Sequence, residues 1–74
     1  MHIKLKLHAI IAAEIGDLHE IDLPEGATLA ELLKSAKINR DRAGFILING
    51  RREPYDKVLQ ENDTVFIMPF LGGG

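Results

Sequence analysis

At 74 residues, 46% hydrophobic and 27% charged, the chain reads as one small domain whose core leaves little room for a pocket, so any catalysis needs a partner. A net charge of −2 gives no overall bias toward nucleic acid, and the absence of cysteine excludes disulfides, thiolate metal sites and thiol nucleophiles on this chain. No run approaches the roughly 18 apolar residues of a membrane helix, and Met1-His2-Ile3-Lys4 lacks the apolar stretch of a signal peptide, so the expected location is the cytoplasm.

His2 to Ala9 alternates, with Ile3, Leu5, Leu7 and Ala9 on one face and His2, Lys4, Lys6 and His8 on the other, which predicts a half-buried strand. A second strand is expected from about Leu18 to Leu23 after a turn at Gly16-Asp17. Pairing Leu7 with Ile21 and Leu5 with Leu23 satisfies the core side and sets Lys6 against Asp22 and His8 against Glu20 outside. Pro24-Glu25-Gly26-Ala27 breaks the strand, and Thr28-Leu29-Ala30-Glu31 is a capping box that starts a helix. Leu29, Leu32, Leu33 and Ala36 form its core-facing stripe, Lys34 and Lys37 suit its C-terminal dipole, and Ile38-Asn39 closes it.

After a polar loop from Asn39 to Gly44, Phe45 to Ile48 is a short apolar strand entering Asn49-Gly50, a strong hairpin signal. The return from Arg51 to Asp56 contains Pro54 and reads as an edge or irregular segment, and Glu61-Asn62-Asp63 turns into a last strand from Thr64. There is neither a repeat nor a linker. The order ββαββ is that of a small α+β fold, one main helix packed on a mixed sheet, with the apolar last strand inside the sheet beside the first.

Charge is unevenly placed. Leu7 to Leu33 holds six acids and no Lys or Arg, whereas Lys34 to Lys57 holds seven basic residues against three acids. Phe45 and Tyr55 are the only aromatics a nucleic-acid reader could interleave with that cluster, so a solvated face orienting a protein partner is favoured and no nucleic acid is expected as a ligand. His2 and His8 share a face but lie six residues apart on one strand, about 20 Å, too far for one metal ion. The acids show no paired spacing suited to acid–base catalysis.

The chain finishes in Gly72-Gly73-Gly74, directly after the strand-like Thr64 to Leu71. Glycine adds no packing and is costly to order, so this stretch is useless as core. A side-chain-free tail can thread a narrow channel and present a carboxylate; a frayed terminus or a cloning remnant would read the same way.

Leu23-Pro24-Glu25-Gly26-Ala27-Thr28-Leu29-Ala30-Glu31-Leu32-Leu33, Ile48-Asn49-Gly50, and Asn62-Asp63-Thr64-Val65 leading through Pro69 to the glycines together resemble the ubiquitin-like sulfur carriers, the family of the molybdopterin synthase small subunit and the thiazole-synthesis carrier. The resemblance covers nearly the whole chain and implies a ubiquitin-like β-grasp domain over residues 1–71 with a flexible tail over 72–74. It departs in two places: Asn62-Asp63 stands where the family has Gly-Asp, and three glycines stand where the family ends in two. Asn tolerates the left-handed conformation nearly as glycine does. Counted from Asp63, the reactive pair falls on Gly73-Gly74; a version in which a protease removes Gly74 and exposes Gly73 is the alternative.

The resemblance implies that a ubiquitin-activating-like adenylyltransferase, using its own ATP and Mg²⁺, adenylates the Gly74 carboxyl. Sulfur then displaces AMP, leaving a terminal thiocarboxylate for a sulfur-acceptor enzyme such as the molybdopterin synthase large subunit. The chain itself is then a carrier, not an enzyme, and binds no cofactor. Thiazole and tRNA-thiolation carriers would look almost identical. From other classes come a ubiquitin-like modifier joined to lysines and a pure interaction module. Strand parity suggests the partner surface: with Val65 and Ile67 in the core beside Ile46 and Ile48, as the ubiquitin-like pattern implies, Leu47, Phe66, Met68 and Phe70 form an apolar patch leading through Leu71 and Gly72 to the tail. The alternative is that both faces are covered, or that Phe66 and Phe70 pack on the loops. Arg51 and Arg52 read as solvated surface that can add charge steering.

Overall fold

The alternation of the first residues and the apolar run near the end meet at the centre of one sheet. The computed structural model describes residues 1–41 and 43–69. Strands β1 (His2–Leu7) and β5 (Thr64–Met68) lie side by side and parallel, Leu5 opposite Val65 and Leu7 opposite Ile67. With β2 (Glu20–Asp22), β3 (Phe45–Ile48) and β4 (Arg51–Arg52) they form a five-stranded mixed sheet in the order β2-β1-β5-β3-β4, every other pairing antiparallel. Helices α1 (Ala9–Ile15) and α2 (Leu29–Ser35) complete the fold. This is the expected β-grasp arrangement, with the last strand inside the sheet beside the first. Ile3, Leu32, Val65 and Ile67 are wholly excluded from solvent at its core, each such side chain contributing about 1.5–3 kcal/mol of transfer free energy.

The connection from β1 to β2 departs from the expected hairpin, because α1 occupies it. Ala9, Ala12, Ala13 and Glu14 are strong helix formers, and Ile11 and Ile15, four apart, turn one face toward the core. His8 ends the strand at Leu7, short of the expected Ala9: its Nδ1 accepts a hydrogen bond from the Ile10 amide at 3.2 Å and its carbonyl accepts from Ala12 at 3.0 Å. Gly16, at φ 96°, stops the helix while its amide donates to the Ala12 carbonyl. Strand β2 is correspondingly shorter than expected, and Ile21 pairs with Ile3, not Leu7. His2 therefore faces Asp22, and Lys4 faces Glu20, in place of the expected Lys6–Asp22 and His8–Glu20 pairs. The shift is even, so both faces keep their character.

Helix α2 starts as its capping box requires. The Thr28 hydroxyl accepts from the Glu31 amide and donates to the Glu31 carboxylate, both at 3.3 Å. The next two unsatisfied amides of the first turn are met from the loop before β5, Leu29 donating to the Lys57 carbonyl at 3.0 Å and Ala30 to the Tyr55 carbonyl at 2.9 Å. At the other end Ile38 donates to the Leu33 carbonyl and Lys37 to the Lys34 carbonyl, with Lys37 at φ 61°. This is a Schellman closure with lysine where glycine is usual.

The two turns flanking the central strands are locked to each other. Asn49 and Gly50 both take positive φ, as a two-residue hairpin loop demands, and Asn62 takes φ 68°. Asn49 Nδ2 donates to Asp63 Oδ1 at 2.8 Å, and Asn49 Oδ1 accepts from the Thr64 amide at 2.9 Å. Asp63 Oδ2 accepts from the Gln60 amide at 2.8 Å.

On the outer face His2 lies between two carboxylates, Nδ1 2.7 Å from Asp22 and Nε2 3.1 Å from Glu20. The hydrogen bond to Asp22, then that to Glu20, raises its pKa above the ordinary 6.5.

Two expectations follow from these contacts. Lys37→Gly relieves a left-handed residue that carries a Cβ and raises stability by about 0.5–1 kcal/mol in urea unfolding, net of the glycine's extra unfolded-state entropy. Because the folded-state pKa of His2 is the raised one, its contribution to stability is full below pH 6.5 and is lost as pH rises through the folded value. His2→Gln therefore flattens the pH dependence of the unfolding midpoint across that interval, with little effect above it.

Candidate functional site

Strand parity divides β3 and β5 into a core set and an outward set. Ile46, Ile48, Val65 and Ile67 are buried, while Leu47, Phe66 and Met68 are half-buried on the opposite face and Phe45 is exposed. The β3–β5 register sets Leu47 opposite Phe66 and Phe45 opposite Met68, so the four outward side chains form two cross-strand apolar pairs. The strip runs along β5 toward its end at Met68, where the buried Pro69, lacking an amide proton, cannot extend the ladder.

Charge borders the strip. On the β1 side lie the exposed Lys4 and Lys6, Lys6 directly opposite Phe66. On the β4 side Arg52 lies opposite Leu47 and places its guanidinium 5.2 Å from the Phe45 ring centre. The acids of β2, Glu20 and Asp22, are engaged by His2 at the far edge.

Of the residues singled out in the sequence, Leu47, Phe66 and Met68 are brought together on this face. Phe70, Leu71, Gly72, Gly73 and Gly74 lie outside the described residues. Phe45, which the sequence pattern places on the same short strand without marking it as part of the patch, joins the strip. The signal was present: it is two residues before Leu47 and shares its face. Tyr55, the other aromatic within the basic cluster, is exposed in the segment before β5, with the Arg40 guanidinium 4.3 Å from its ring centre. Arg51 and Arg52 diverge, Arg51 pairing with the core-side Ile48 and Arg52 with Leu47. His8 has left the strand face for its helix-capping role. Among the described residues no three His, Asp or Glu side chains are grouped to hold a metal ion, and no helix is long and apolar enough to cross a membrane.

The sequence pattern of the ThiS family matches residues 6–74. The chain belongs to the ThiS family. Solved structures agree on the fold. A Pyrococcus furiosus protein assigned as molybdopterin converting factor, subunit 1, superposes with a TM-score of 0.78 at 27% identity, over 93% of this chain and 97% of that one. Small archaeal modifier protein 1 from Haloferax volcanii matches twice. One structure has a TM-score of 0.79 at 20% identity over the whole of both chains; the other has 0.76 at 18%, over 92% of this chain and 95% of that one. No curated protein matches significantly in sequence. The resemblance to ubiquitin-like sulfur carriers of the ThiS and MoaD type thus holds at the level of family and fold.

In this ThiS-family chain the two faces of β5 separate stability from exposure. Ile67→Ala removes buried methylenes and costs about 2–5 kcal/mol. Phe66→Ala, one residue away on the outward face, costs clearly less in parallel denaturant titrations.

Proposed function

We propose that this protein carries sulfur as a C-terminal thiocarboxylate and serves molybdopterin synthesis. The observation that carries the proposal is the family match through residue 74, which takes in the whole glycine run beyond the central strand. The pathway is favoured by the 27% identity to the Pyrococcus furiosus protein assigned as molybdopterin converting factor, subunit 1, almost all of which this chain covers.

A carboxylate resists attack because the departing group would be oxide-like and the carbon already sits beside negative charge. In the proposed sequence an oxygen of the Gly74 carboxylate attacks the α-phosphorus of ATP in a ubiquitin-activating-like adenylyltransferase, expelling pyrophosphate. Cationic groups and Mg²⁺ of that enzyme stabilise the phosphate charge. A sulfide equivalent then attacks the carbonyl carbon and AMP departs, leaving the thiocarboxylate. No cysteine of this chain is needed, in keeping with a sequence that has none. The strip of Phe45, Leu47, Phe66 and Met68 docks the partner enzymes, continued by Phe70, Leu71 and Gly72, and Gly73-Gly74 reaches the reacting centre. A sulfur-acceptor enzyme, the molybdopterin synthase large subunit, takes the sulfur.

Intact-mass spectrometry of the protein from its native host tests this: the expected species ends at Gly74 and includes a form heavier by the exchange of one oxygen for sulfur. A species one glycine lighter moves the reaction to Gly73. Deleting Gly73-Gly74 abolishes molybdoenzyme activity in the host; retained activity, or ladders of carrier-linked proteins in host lysate, overturns the proposal. Phe66→Asp leaves the far-ultraviolet circular dichroism unchanged and abolishes binding to the activating enzyme.

A further inference from the structure

The open face of the sheet carries one row that crosses four strands. The pairings Lys6 with Phe66, Phe66 with Leu47, and Leu47 with Arg52 place these residues in line across β1, β5, β3 and β4, all on the outward face. At about 4.8 Å per strand, the two cations stand about 14 Å apart at their Cα atoms, with an aromatic and an aliphatic side chain between them.

Among the described residues neither cation is neutralised by a neighbouring carboxylate. The β1–β2 pairing stops at Lys4, so Lys6 extends past the end of β2 and its acids, which His2 already engages. Lys6 and Arg52 have no carboxylate partner among the described residues. Arg52 is held at the border of the strip by its contact with Phe45. An apolar centre between two like charges asks for its complement: an apolar ridge bordered on both sides by carboxylates.

We propose that the occupant of this face is the tail-activating enzyme, and that Lys6 and Arg52 form a two-point electrostatic clamp on acidic residues bordering its docking ridge, setting the rate and register of encounter. This rests on the carrier reading above. Charged groups bordering an interface act chiefly on association and its salt dependence, while the chemistry at a bound carboxylate is left alone.

The test uses the full chain and the purified adenylyltransferase from the same host, following carrier-dependent ATP–pyrophosphate exchange at low and high salt. Lys6→Glu/Arg52→Glu is expected to raise the KM for the carrier about tenfold or more at low salt, to lose most of the salt dependence, and to leave kcat within about twofold. Lys6→Gln/Arg52→Gln shifts KM the same way by less. Lys34→Glu/Lys37→Glu on α2, both exposed and away from the row, makes the same change in net charge and is expected to leave KM near that of the wild type. An unchanged KM in both row variants overturns the clamp, and so does an equal rise in the α2 control, which would assign the effect to net charge. Absence of exchange with the wild-type chain is a separate outcome and removes the carrier reading together with the clamp.

Discussion

The parallel ladder between β1 and β5 is the constraint on which the rest of the molecule depends. It joins residues from opposite ends of the described chain, and its core side holds Ile3, Leu5, Val65 and Ile67, the most completely buried side chains of the sheet. Closing so long a loop is unfavourable, and the apolar side chains that share its core, Ile11 of α1, Leu29, Leu32 and Leu33 of α2 and Leu59 of the loop before β5, offset that cost. The Asn49–Asp63 contact then fixes the entrance to β5 against the β3–β4 hairpin, and the His8 amide donates to the Ile67 carbonyl at 2.9 Å near its exit. Strand β5 is thereby held at both ends and on both edges. It is also the strand whose outward face bears Phe66 and Met68, so the surface proposed for docking stands on a strand paired along both edges.

Much of this was legible in the residues. The capping box at Thr28 and Glu31, the Asn49-Gly50 turn, the left-handed Asn62 and the parity of β3 and β5 are all local signals. Each is fixed by chemistry within a few positions, and each takes the form its chemistry dictates. Helix α1 is hidden by the strand alternation before it, although Ala9 to Ile15 has both the propensity and the spacing. The alternation of His2 to Leu7 continues formally through His8 and Ala9, and nothing in a period-two pattern marks where a histidine stops being a strand residue and becomes a helix cap. The register of β2 followed that error. The even shift preserved the faces, so the core survived a misreading of the connection.

The apolar strip was half legible for a related reason. Parity along one strand is a local property and gave Leu47, Phe66 and Met68. The same parity along β3 carries Phe45, whereas the contribution of Lys6 and Arg52 depends on which residues stand opposite one another across four strands, which no single segment encodes. Two cations from positions 6 and 52 share one face only because β1 and β4 flank the central pair.

That row also bears on how the protein behaves toward itself. An exposed apolar strip on a sheet invites a second copy to stack against it. If two copies meet face to face about a two-fold axis along the strands, Lys6 of one lies over Arg52 of the other; with the axis along the row, Lys6 lies over Lys6 and Arg52 over Arg52. Cation meets cation in either arrangement, and the cost falls only as salt screens it. The same two charges that favour an acidic partner thus act against stacking of the strip on a second copy.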